Sequence, residues 1–81
     1  MDIHEIIETT NRFLIDEIEV EPQGIQPQAD LREDLGIDSL DFVDIVVLVE
    51  RYFGFKLKAE EMGQVKTLED FYRFIDRKLN P

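Results

Sequence analysis

The chain contains no cysteine, so neither a disulfide nor a thiolate-held metal can brace its fold. Small secreted domains commonly depend on such staples, and the expectation is therefore a cytoplasmic protein. Histidine is almost absent as well, with only His4 close to the amino terminus. A nucleophilic Ser39 would thus lack the usual base, and no cleft around a carboxylate acid–base pair can be read, so no catalytic residue and no enzyme are expected. Long apolar runs are missing too. The longest, Ile45 to Val49, is far too short to cross a bilayer, and stable membrane insertion is not expected. Met1-Asp2-Ile3-His4-Glu5 is acidic and has no apolar signal core. Positive charge is scarce in one half only. Up to Leu40 there are 11 acidic and 2 basic residues, and beyond it 8 and 7, for a net charge of −10. Such a field repels nucleic-acid phosphates and anionic surfaces and favours partners with basic docking patches. Charge alone is equally compatible with a role in solubility.

What is present suffices for one domain spanning 1–81, of modest stability because a chain this short buries only about three-fifths of its unfolded surface. Ile3, Ile6, Ile7, Phe13, Leu14 and Ile18 recur at helical spacing behind the capping residue Asp2, predicting a first helix over about 2–19. Glu21-Pro22-Gln23-Gly24 stops it, and Pro27 keeps the following stretch irregular. Ile25, Leu31, Leu35 and Ile37 are placed to pin this long first loop onto the bundle. A second helix is predicted from Asp38-Ser39 to Phe53, ended by Gly54, despite the β-branched run within it. Lys56-Leu57-Lys58 reads as extended, and Ala59 to Met62 as a turn or two of helix before Gly63. Thr67, with Asp70 three residues on, opens a last helix whose apolar face is Leu68, Phe71, Tyr72, Ile75 and Leu79. The fold class is all-α: three main helices, one short helix and a long first loop.

Projected at helical periodicity, the central helix shows two apolar stripes. Phe42, Ile45, Val46, Val49, Tyr52 and Phe53 form a broad one suited to the core. Leu40, Val43 and Val47 form a narrower one, bordered by Asp44, Glu50 and Arg51, with Asp41 at the far edge of the same turn. An apolar strip edged with carboxylates reads as a docking surface for a partner, against the alternative of a helix buried on most sides. Just before it, Gly36 allows a tight turn, and either Asp38 or Ser39 can cap the helix. A serine at a helix start is usually only a cap, although an anion on Ser39 would lie at the positive end of the helix dipole. The acidic cluster Asp30, Glu33, Asp34 and Asp38 lacks the ligand spacing of a calcium loop, and no metal site is expected.

Asp34-Leu35-Gly36-Ile37-Asp38-Ser39-Leu40-Asp41 resembles the attachment motif of acyl carrier proteins, and the similarity continues through Phe53-Gly54 and loosely over the whole chain. The resemblance implies an acyl-carrier-like helical bundle and a covalent 4'-phosphopantetheine arm. A phosphopantetheinyl transferase would move the arm from coenzyme A onto Ser39, and its thiol would carry acyl groups as thioesters. It further implies that Asp38 assists the transferase. Leu40, Val43 and Val47 would be apolar partner contacts, and Asp41, Asp44 and Glu50 would pair with Arg and Lys on acyl-transferring and chain-elongating enzymes. The broad stripe, with Phe71 and Ile75 opposite, would line an interior that shelters short or medium acyl chains. Arg51 stands where fatty-acid carriers usually have an acidic residue. The valine-rich central helix, Lys56 and Lys58 are further departures. The stretch from Asp38 to Asp44, continued through Ile45-Val46 to Phe53-Gly54, is similar to specialised carriers serving very-long-chain acyl transfer to lipid A. Peptidyl, aminoacyl or polyketide carriers are the alternatives within the class. The strong acidity and Met1 favour a free-standing carrier over an excised domain, and a monomer is expected. From another class, the same strip would suit an unmodified acidic helical adaptor.

Overall fold

The computed structural model describes every residue from Met1 to Pro81. The first helix, α1 (Ile3–Asp16), starts at Asp2. The Asp2 carboxylate accepts the Glu5 N–H at 2.9 Å, and the Glu5 carboxylate accepts the Asp2 N–H in return. This reciprocal pair satisfies two donors that a helix start otherwise leaves free. The helix ends at Asp16, short of the expected 19. The Phe13 carbonyl accepts both the Glu17 and Ile18 N–H groups, Val20 folds back onto the Leu14 carbonyl, and Glu19 adopts φ 65. The reason lies in burial. Ile18 and Val20 would lie about 200° apart on a continued helix, whereas the break turns both inward, Val20 buried and Ile18 packed against the core.

The long loop is held by α3 (Leu68–Leu79). Leu31 N–H donates to the Lys66 carbonyl at 2.9 Å. In the other direction, the first free donors of α3, Leu68 and Glu69, give their N–H groups to the carbonyls of Ala29 and Pro27 at 2.9 and 2.8 Å. The loop thus supplies acceptors that the helix terminus needs. Leu31 and Ile37 are buried as anticipated and Ile25 and Leu35 are half-buried, while Val20 and Ala29 add buried contacts not anticipated. One 3-10 turn, Pro22–Gly24, lies within it.

The second helix, α2 (Ser39–Phe53), runs straight through Ile45 to Val49 and stops at Gly54, whose φ of 81 is the left-handed conformation that glycine adopts without strain. Burial of one side of the run, with Ile45, Leu48 and Val49 enclosed, outweighs its strand propensity. The expected short helix is a 3-10 segment, Ala59–Gln64, that continues through Gly63. It is tied to the end of α3 by an ion pair of 2.9 Å between Glu61 and Lys78. Thr67 caps α3, its hydroxyl accepting the Asp70 N–H and the Asp70 carboxylate accepting the Thr67 N–H, both at 3.1 Å.

A single cluster of 19 buried residues draws on all three helices and both connections. Leu48 and Phe74, outside the projected faces, belong to it. Tyr52 does not: it is 43% exposed, with its ring stacked on Phe13 at 5.7 Å. An amphipathic ring at the bundle edge keeps one face on the core and its hydroxyl in water. Val46, also projected into the core stripe, is half-buried. Ile45, Val49, Phe71 and Ile75 are fully enclosed members of this packed core. Phe42 of the same broad stripe borders a cleft, whereas these four line none of the five.

Candidate functional site

Gly36 takes φ 70, a left-handed turn that lets Ile37 drop into the core, where its N–H donates to the Leu31 carbonyl at 3.0 Å. Asp38 follows in an extended conformation and opens α2. Its carboxylate accepts the Asp41 N–H at 3.0 Å, and the Asp41 carboxylate accepts the Asp38 N–H at 3.2 Å. Of the two candidate caps, the structure selects Asp38. Ser39 is the first helical residue, is exposed, and its hydroxyl makes no hydrogen bond within the chain. The Ser39 and Leu40 N–H groups also find no acceptor in the protein. The site therefore presents a free hydroxyl beside unspent helix-terminal donors, an environment favourable to an attached anion.

Beside Ser39 lies a cleft of about 320 Å³ between the start of α2 and the 3-10 segment, lined also by Phe42, Met62 and Arg32. The Arg32 guanidinium rests over the Phe42 ring, 5.0 Å from its centre. Sequence reasoning passed over Arg32. Its signal was isolation of charge, since no other basic residue occurs between Arg12 and Arg51.

The narrow stripe is a surface. Leu40, Val43 and Val47 are 78%, 56% and 51% exposed, and Asp44, Glu50 and Arg51 around them are exposed too. This sets aside the reading of a helix buried on most sides. At its far end the strip borders a shallow hollow of about 220 Å³ between Val47, Arg51 and the end of α1. Asp41 differs from its neighbours, because one of its carboxylate oxygens is committed to the Asp38 N–H.

The acidic loop proves to be a turn builder. The Asp30 carboxylate accepts the Arg32 and Glu33 N–H groups, each at 2.9 Å, and Asp34 accepts the Asp30 N–H at 2.7 Å. The Glu33 N–H is the main reason the Asp30 carboxyl lies below its ordinary range, with the nearby Lys66 and Arg32 charges acting in the same direction. The lone histidine, His4, is exposed in the first turn of α1, on a different element from Ser39.

A free, exposed serine with an adjoining cleft fits a group attached through a phosphodiester, and the comparisons with known proteins address that group directly. The family signature described as a phosphopantetheine attachment site matches residues 12–75. Acyl carrier protein from Thermosynechococcus vestitus is 35% identical over 98% of both chains. Acyl carrier protein from Coprothermobacter proteolyticus is 37% identical over 98% of this chain and 96% of its own length. Acyl carrier protein from Rubrobacter xylanophilus is 32% identical over 93% of each.

Proposed function

The chain belongs to the acyl carrier protein family, with covalent 4'-phosphopantetheine as its prosthetic group, and from that premise we propose that Ser39 is the attachment residue. The observation that carries this reading is the division of labour at the start of α2. Asp38 takes the capping bond, so the Ser39 hydroxyl is free to be modified without unmaking the helix terminus. Asp38 fixes the backbone direction at Ser39 and adds a carboxylate for the modifying transferase to recognise. When attached, the arm supplies a thiol on which acyl groups travel as thioesters. The chain itself carries and presents rather than catalyses.

Leu40, Val43 and Val47 give partner enzymes an apolar strip beginning one residue from the attachment point. Asp44 and Glu50, with the free oxygen of Asp41, offer carboxylates to Arg and Lys on those partners. Such pairs govern orientation and encounter rate more than affinity. The cargo belongs to fatty-acid or lipid synthesis. Arg51 on the strip border and the valine-rich α2 favour a specialised carrier, of the kind that serves long acyl transfer to lipid A, over the housekeeping one.

The attachment is tested by incubating the protein with coenzyme A and a broad-specificity phosphopantetheinyl transferase and measuring intact mass. The wild type gains the mass of one arm and Ser39→Ala gains none. A wild type that stays unmodified with several transferases removes Ser39 as the site. For the pathway, the acyl group on protein isolated from its own host decides: very long or hydroxylated chains support the specialised reading, and the ordinary range of chain-elongation intermediates overturns it.

A further inference from the structure

Arg32 is a cation without a partner in a strongly acidic neighbourhood. Glu33 and Asp34 flank it in sequence, yet none of the three ion pairs in the molecule includes it, and none of its side-chain N–H groups donates to a protein acceptor. Its guanidinium is nevertheless placed, over the ring of Phe42 at 5.0 Å, and Phe42 is itself buried at 6% exposure. Stacking on an aromatic ring fixes a guanidinium while leaving donors available for an oxyanion. Arg32, Phe42 and Ser39 line the same cleft.

A phosphodiester on Ser39 would meet the carboxylates of Asp38 and Asp41, which are held close by the capping bonds. Like charges brought this close near a protein surface repel one another, so a cation in the adjoining cleft has a clear electrostatic use. Arg32 is the only basic residue lining the cleft. Building on the reading of Ser39 as the attachment point, we propose that Arg32 is a positioning residue. It pairs with the phosphodiester on Ser39 and directs the base of the arm toward the cleft lined by Phe42 and Met62, away from the strip of Leu40, Val43 and Val47. The competing role is purely local: Arg32 also contributes a small favourable charge to Asp30.

The full-length chain, labelled with nitrogen-15, is compared before and after loading with coenzyme A and a transferase, with intact mass measured on each sample. In the loaded wild type the Arg32 Nε–H resonance shifts and exchanges with water several-fold more slowly, and the Phe42 ring resonances move with it. The phosphorus-31 resonance of loaded Arg32→Gln moves toward that of the free phosphodiester, Arg32→Lys keeps most of the wild-type position, and about 1 M salt carries the wild type toward the Gln variant. A local role for Arg32 moves none of these signals on loading. Mass gain with an unchanged Arg32 Nε–H and identical phosphorus positions in wild type and Arg32→Gln overturns the proposal while leaving Ser39 in place. Absence of mass gain overturns the Ser39 reading and this one with it. Should Arg32→Gln disturb the fold, seen as altered Phe42 ring shifts before loading, the wild-type comparison decides alone.

Discussion

At the scale of single residues, adjacent side chains with similar chemistry have separate tasks. Asp38 and Ser39 can both cap a helix, but only Asp38 accepts the Asp41 N–H. Asp38→Ala therefore costs about 1 kcal/mol of stability, whereas Ser39→Ala stays within about 0.5 kcal/mol. Urea denaturation of the unmodified proteins checks both, and an equal loss in the two variants would make Ser39 a cap as well. Tyr72 offers a second residue-scale test. Burial pushes its hydroxyl up to about 12, and the hydroxyl donates to the Asn11 side-chain oxygen. A folded-state value above the ordinary 10 means that the associated stability is intact below pH 10 and is lost as pH rises toward 12. Tyr72→Phe removes this term, so its stability falls less steeply between pH 10 and 12 than the wild type's, as followed by circular dichroism along a pH series. Parallel curves would show that Tyr72 ionises as readily folded as unfolded.

At the scale of elements, α2 divides its surface between the core and the exposed strip proposed to dock partners. Val47, at 51% exposure, can be replaced without opening a cavity. Val47→Asp is expected to keep the helical spectrum and thermal midpoint while weakening partner binding. Loss of the fold would place Val47 in the core instead. Asp44→Lys and Glu50→Lys each weaken binding about fivefold, the roughly 1 kcal/mol of an exposed ion pair. They also flatten the dependence of affinity on salt, because fewer opposite charges remain to be screened. Titration calorimetry at two ionic strengths tests this, and unchanged binding by both variants would move the docking face elsewhere. The loop, too, acts as an element. It has no long helix of its own, yet its carbonyls at Pro27 and Ala29 complete the start of α3.

At the scale of the whole molecule, the net charge of −10 is hardly compensated internally. Three ion pairs engage three of the 19 acidic side chains. Mutual repulsion must then oppose compaction, and folding is expected to become more stable as salt rises from a few millimolar to physiological strength. Over the same range partner binding weakens. Thermal midpoints and dissociation constants along one salt series would reveal the opposite trends. A midpoint that fell with salt would mean that the ion pairs outweigh the repulsion.

The local sequence determined most of what depends on local rules. The caps at Asp2 and Thr67, the stop at Gly54 and the exposed strip Leu40, Val43 and Val47 all follow from side-chain chemistry or periodicity within a few residues. Only the tertiary structure decided the early end of α1, where Val20 and Ile18 are drawn to the core together. The same holds for the exposure of Tyr52, the burial of Leu48 and Phe74, and the order imposed on the loop by α3. These depend on which surfaces meet across the bundle, and periodicity specifies a face without specifying what covers it. Ser39 needed both. Its place at a helix start was legible in the chain, but its freedom from the capping bond emerged only when Asp38 and Asp41 were seen to share it.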